Sequence, residues 1–151
     1  MEISTVLKIV VYLQKQKKKK LMEKNRITPT LVTELNDNEI FVFGSNLSGF
    51  HGGGAAYAAW KKFGAEWGVG VGLTGRCYAI PTMQGDVDTI KPYVDDFIRF
   101  AKEHTEYHFL VTLIGCGIAG FEPNEIAPLF REALDIENIS LPIEFINFLT
   151  E

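Results

Sequence analysis

Phe43-Gly44-Ser45-Asn46-Leu47-Ser48-Gly49-Phe50-His51-Gly52-Gly53-Gly54-Ala55-Ala56 is the stretch from which the rest of the chain can be read. An apolar run, Glu39-Ile40-Phe41-Val42-Phe43, leads into it and reads as a buried strand. An Ala-rich segment follows and reads as a helix. Glycine between the two lets a ligand's phosphate or ribose approach bare backbone. The first turn of the helix adds free N–H groups and a partial positive charge. A tight left-handed turn would also ask for glycine on steric grounds alone. Three consecutive glycines after a buried strand exceed what a turn needs, so the pattern points to a ligand.

Working outward, the same logic recurs near the C-terminus. Tyr107-His108-Phe109-Leu110-Val111-Thr112-Leu113-Ile114 is nearly all apolar, as a central parallel strand would be. It runs into a second glycine loop, Gly115-Cys116-Gly117-Ile118-Ala119-Gly120-Phe121. Pro123 then opens a helix with Ile126, Leu129, Phe130, Ala133 and Leu134 on one face. Between the two units, Cys77-Tyr78-Ala79-Ile80-Pro81 reads as a strand. Ile90, Val94, Phe97, Ile98 and Ala101 follow helical spacing, with Asp88 or Thr89 as the cap and Pro92 in the first turn. Gly64 is the expected stop of the helix after the first loop. Ile27 to Leu35 is an edge strand or a short lead-in, and Ile143 to Phe148 reads as the last strand. Gly68-x-Gly70-x-Gly72 lacks the GxGxxG spacing and reads as a flexible loop or lid beside the site, with Trp67 packing inward or lining a pocket. Alternating strands and helices imply an α/β fold with a mostly parallel sheet. Ligands of such sheets bind at the carboxyl ends of strands. Both glycine loops sit at carboxyl ends, so adjacent parent strands would place them across one crevice.

The bulk properties are compatible with that reading. A chain of 151 residues is one domain's worth, and 46% hydrophobic residues are enough for a core. The formal net charge of −4 argues against a nucleic-acid partner, which usually meets a basic field. Two distant cysteines, Cys77 and Cys116, suit reduced thiols and a cytoplasmic location better than a disulfide scaffold. No apolar run reaches the ~18–20 residues of a membrane span. Residues 1–25 join an apolar run, Ile3 to Leu13, to a basic one, Lys15 to Lys20, in the wrong order for a secretory signal. An amphipathic helix touching an anionic membrane, a flexible tail and a translated stretch upstream of Met22 all fit this order. A peripheral tail over 1–25 and a single domain over 26–151 is the organisation adopted. The sequence carries no signal for an oligomeric state.

Taken together, the two loops resemble the macrodomain family, which binds ADP-ribose and related nucleotides. Phe43-Gly44-Ser45-Asn46 matches the strand end and second Asn of the first family signature, and Gly52-Gly53-Gly54-Ala55 matches its glycines. Gly115 to Phe121, with Pro123 beyond, matches the second. The resemblance spans roughly residues 38–148 and is similar to small macro-like proteins of bacteria and their phages. It implies a three-layer α/β/α sandwich around a mostly parallel, mixed sheet. It also implies a small nucleotide ligand and no cofactor or metal. By position, Asn46 would contact the distal ribose, beside Gly44 and Ser45. Gly52, Gly53 and Gly54 would cradle that ribose and the adjoining phosphate. Gly115, Cys116, Gly117, Ile118, Ala119 and Gly120 would form the loop around the diphosphate, and Phe121 would pack on the distal ribose. Three positions depart from the family pattern. Ile27-Thr28-Pro29-Thr30 has no acid where the family reads the adenine amino group. Ala55-Ala56 stands where hydrolytic members carry an Asp. Gly115-Cys116 replaces a Ser-Thr pair.

The catalytic candidates are Asn46, as a ribose-positioning group for hydrolysis of an ADP-ribosyl bond by bound water, and His51, which abuts the glycines and could act as acid or base. A loop histidine with no catalytic part is the more common case. Cys116 reads as a small buried residue rather than a nucleophile. Asp86 and Asp88 read as helix caps rather than holders of a water or metal, and Glu122 and Glu125 are expected to point outward. Nucleotide binding is the leading expectation and ADP-ribosyl hydrolysis the alternative. A third reading is an interaction module whose glycine loops bind nothing.

Overall fold

The computed structural model describes residues 3–151. Its centre is β1 (Glu39–Ser45), in which Ile40, Phe41, Val42 and Phe43 are all buried. A strand apolar on both sides must be covered on both. Ile40 and Val42 join one core cluster with Tyr78, Ile80, Phe109 and Val111. Phe41 and Phe43 join the other, with Cys77 and Ala79. The second cluster is closed by α2 (Gly54–Lys62), whose Ala56 and Ala59 are small enough to bring it close to the sheet. Gly64, at φ +81°, stops this helix as expected, and the Ala65 amide turns back to the Ala59 carbonyl at 3.1 Å.

The remaining strands are β2 (Gly72–Thr74), β3 (Cys77–Pro81), β4 (His108–Val111) and β5 (Ile139–Ser140). They form one mixed sheet in the order β2-β3-β1-β4-β5. β1 pairs in parallel with both β3 and β4, β4 with β5, and only β2 is antiparallel. The first cluster is filled by α3 (Lys91–Glu103), by a 3-10 helix over Ala127–Asp135 and by α5 (Ile143–Leu149). Ile90, Val94, Phe97, Ile98 and Ala101 are buried at the expected helical spacing. Each of the larger side chains contributes about 1.5–3 kcal/mol by leaving water. β1 leads through α2 to β3 on one side. β4 leads through α4 (Pro123–Ile126) to β5 on the other. The chain therefore diverges after β1 and β4, which opens a crevice between their carboxyl ends.

Several elements differ from the sequence expectation. Ile143 to Phe148 is helical, not a strand: Phe145, Ile146 and Leu149 are buried at helical spacing, and Pro142 sits at the N-cap. The last strand is the two-residue β5. The helix after Pro123 is α only to Ile126, because Pro128 has no N–H to continue the ladder, and the run goes on as 3-10. Neither Asp88 nor Thr89 caps α3: both lie in a 3-10 turn, Val87–Thr89, and the N-cap is Ile90. Ile27 makes one parallel bridge to Leu141, while Val32 and Leu35 pack beneath Phe41 and Phe43 as a lead-in rather than an edge strand. The first two residues of the expected tail lie outside the described residues. From Ile3 to Glu23 the chain is a helix, α1, in which, from Ser4 onward, the one buried side chain is Leu21. Just beyond it Arg26 is buried. Its guanidinium donates to the carbonyls of Ala133, Leu134, Ile136 and Ile139 at 2.7–3.0 Å, and burial lowers its pKa against the pull of Glu137 and Asp135.

Candidate functional site

The loop after β1 is built by its own side chains. Asn46 Nδ2 donates to the Phe50 carbonyl at 2.8 Å, and the Phe50 amide donates to Asn46 Oδ1 at 3.0 Å. The loop is also fastened to the glycine-rich stretch expected as a lid. The Gly68 amide donates to the Gly49 carbonyl at 2.9 Å. A Cβ at Gly70 would lie 1.8 Å from the Asn46 carbonyl oxygen, and one at Gly49 would lie 2.3 Å from the Gly68 carbonyl carbon. Gly68 to Gly70 is therefore a clamp under the first loop: Gly70 and Gly49 are required by contact between the two backbones, and Gly68 by its φ of +95°.

His51 is fully buried. Its Nε2 is 2.9 Å from the Glu66 carbonyl, which can only accept, so Nε2 carries the proton. Nδ1 then accepts from the Ser45 hydroxyl at 3.3 Å. Phe43 and Trp67 enclose the ring edge-on. Of the two catalytic candidates, His51 has both nitrogens committed inside the protein and stays out of the crevice lining. Its place is that of a tie between the first loop and the clamp, because burial against the Glu66 carbonyl turns the ring inward.

The crevice has a volume of ≈ 440 Å³ and is lined from both loops. Gly44, Ser45, Asn46, Gly52, Gly53 and Gly54 form one wall, and Gly115, Gly117, Ile118 and Ala119 the other. The N-terminus of α2 opens onto it. The amides of Gly117, Ile118 and Ala119 take no part in the backbone hydrogen bonds of their loop, whereas those of Cys116, Gly120 and Phe121 do. Gly52 and Gly117 have no positive φ, and a Cβ on either would meet nothing within 4 Å. The fold itself does not require glycine at these two positions. Ile118 reaches across the crevice, with its Cδ1 3.4 Å from where a Cβ of Gly53 would be.

Three expected residues face elsewhere. Gly120 is outside the lining. Phe121 packs against the core, beside Gly115 and Ile126, rather than into the crevice. Cys116 lines an adjoining hollow, also ≈ 440 Å³. Burial, together with Glu122, Glu144 and Glu125, pushes its thiol up to about 11, so it is protonated at neutral pH and a poor nucleophile. Glu122 and Glu125 are exposed and cap α4 reciprocally.

The adjoining hollow shares Gly54, Ala55, Thr112, Leu113 and Gly117 with the crevice, so the two form one groove over the strand ends. Thr28, Pro29 and Thr30 line its far side, and the Thr28 hydroxyl is buried with no partner. Sequence reading missed Phe50, Thr82, Met83, Thr112 and Leu113 as lining residues. The signal was available for Thr82 and Thr112, because both follow a strand next to β1. No charged side chain lines the crevice. Among the described residues no cluster of His, Cys, Asp and Glu could hold a metal, and no helix is long and apolar enough to cross a membrane. Compared with family models, curated proteins and solved structures, the chain matches none.

Proposed function

We infer that the protein binds ADP-ribose or a closely related nucleotide in the groove between its two glycine loops, as a macrodomain-like three-layer sandwich would. One observation carries this reading. Gly52 and Gly117 line the crevice with open space where a Cβ would stand and ordinary backbone angles, so their missing side chains make room for something outside the chain. A diphosphate suits the site, because its charge would meet unpaired amides and a helix N-terminus rather than a carboxylate. The distal ribose would lie by Asn46, whose amide keeps one N–H beyond its bond to Phe50. The base would enter the adjoining hollow, where the unpartnered Thr28 hydroxyl could meet a polar edge.

The lining supports binding over acid–base hydrolysis. The crevice between the loops contains no carboxylate and no imidazole, the nearest acid of the groove being Glu144 in the adjoining hollow, and Ala55 and Ala56 occupy the positions after the glycines. Cleavage there would need water activated by the substrate's own phosphate. Calorimetry with ADP-ribose, on the intact protein and on Gly117→Val, tests the reading. The wild type is expected to bind, and Gly117→Val to bind at least about tenfold more weakly with a melting temperature close to that of the wild type, since a Cβ there meets no protein atom within 4 Å. Absence of binding at millimolar ADP-ribose would falsify it.

A further inference from the structure

The aromatic cluster beside the crevice is not used by the phosphate and ribose contacts above. Phe50 lines the crevice, yet the residue is 59% exposed. One face stacks on Trp67, with centroids 5.6 Å apart and planes 18° apart, so the opposite face is open. Trp67 is braced by Trp60 at 4.9 Å. An exposed aromatic is ordinarily mobile, but the Phe50 backbone is held at both polar atoms by Asn46, and its neighbour Gly49 is bonded to the Gly68–Gly70 clamp. The side chain assigned to the distal ribose is thus the one that fixes the ring. A group attached to that ribose at its anomeric carbon would be delivered onto Phe50.

The open face favours a flat ring, and a cationic one more than a neutral one. Aromatic faces attract cations. This cluster already holds one, with Lys61 Nζ 4.0 Å from the Trp60 ring centre. The chain carries a net charge of −4, and within it residues 26–151 carry 8 Lys and Arg against 17 Asp and Glu, a balance that also attracts a cation. We propose that Phe50, backed by Trp67, is a shelf for a planar cationic ring on the distal ribose, so that the site prefers an oxidised pyridine dinucleotide to free ADP-ribose. This rests on the nucleotide reading of the groove, and deepens it by naming the ligand class.

The test measures NAD+, NADH and ADP-ribose by calorimetry on the wild type, Phe50→Ala and Phe50→Leu. Tryptophan fluorescence is recorded in parallel. The wild type is expected to bind NAD+ about tenfold tighter than ADP-ribose, with NADH between them. Both variants are expected to lose that ratio, Leu as well as Ala, because the shelf acts through its aromatic face and not its bulk. NAD+ should quench tryptophan emission more than ADP-ribose does. Equal or weaker binding of NAD+ by the wild type, or a ratio that survives Phe50→Ala, overturns the shelf. ADP-ribose binding alone reports the groove, so its absence overturns the nucleotide reading, whereas a wild type that binds ADP-ribose without preferring NAD+ overturns only the shelf.

Discussion

A methyl group added at Gly70 would sit 1.8 Å from the Asn46 carbonyl oxygen, while one added at Gly117 would meet nothing. The chain uses the same residue type for opposite purposes: at Gly70 to let two loops touch, at Gly117 to keep space open. The two can be separated by measurement. Gly70→Ala should cost about 3 kcal/mol in urea unfolding, because neither backbone can yield without undoing the loop. Gly52→Ala should change stability by less than about 1 kcal/mol, its φ being compatible with alanine and its surroundings empty. An unchanged midpoint for Gly70→Ala would mean that the two loops are not in contact. Sequence reading placed Gly70 beside the site but gave it the wrong mechanical part, taking the Gly68–Gly72 stretch for a flexible loop or lid. What identifies it as a clamp is its distance to Asn46, which lies more than 20 residues away and leaves no local trace. The same holds for His51, whose partner carbonyl is at Glu66. Adjacent glycines suggested a residue facing the ligand, and burial turned it the other way.

The elements that were legible are those whose pattern runs long enough to repeat. α3 shows its buried face over twelve residues, and β1 and β4 are continuous apolar runs. α5 is seven residues, and Ile143 to Phe148 holds β-branched and aromatic residues that favour a strand by propensity. Only Leu149, one residue further on, completes the helical spacing. β5 is two residues long, too short for any periodicity. α1 shows that a helix can be well formed and weakly attached. Its Lys17–Asp135 bridge, at 3.1 Å, joins two exposed side chains, and such a pair contributes about 0–1 kcal/mol. Removing residues 1–19 while keeping Leu21 and Arg26 should therefore lower helical ellipticity but move the unfolding midpoint by no more than about 1 kcal/mol. By contrast, Arg26→Leu should cost about 3 kcal/mol or more, since four carbonyls lose their donor inside the protein. A large loss on truncation, with Arg26→Leu neutral, would place the domain boundary in α1 rather than at Arg26.

On the scale of the whole molecule, the topology follows from the order of the elements, but the groove's two-part shape does not, because the lead-in from Thr28 to Val32 folds back over β1 without forming a strand of its own. The titratable groups that the fold buries in their neutral forms limit the pH range in which it is stable. His108 opens β4, with Nε2 2.7 Å from the Ser140 hydroxyl on β5. Burial lowers its pKa below 6.5, with Arg26 in the same direction and Glu39 opposing. The unfolded chain therefore binds a proton at His108 before the native chain does, so stability falls as pH drops through 6.5. At the alkaline end the thiols act. Burial pushes Cys77 up to about 12 and, with nearby carboxylates, Cys116 up to about 11, from 9.0 in each case. Above pH 9 the unfolded chain releases these protons and the native chain keeps them, so stability falls again, by up to about 1.4 kcal/mol per pH unit for each thiol. Unfolding followed from pH 5 to 10.5 should thus give a plateau between about pH 7 and 8.5, with a loss on either side. In His108→Gln the acid loss between pH 7 and 6 should shrink, since glutamine takes up no proton. In Cys77→Ala the alkaline slope should shrink after the constant cost of the smaller side chain is removed. A loss between pH 7 and 6 that is unchanged by His108→Gln would show that His108, and with it the pairing of β4 and β5, does not set the acid limit.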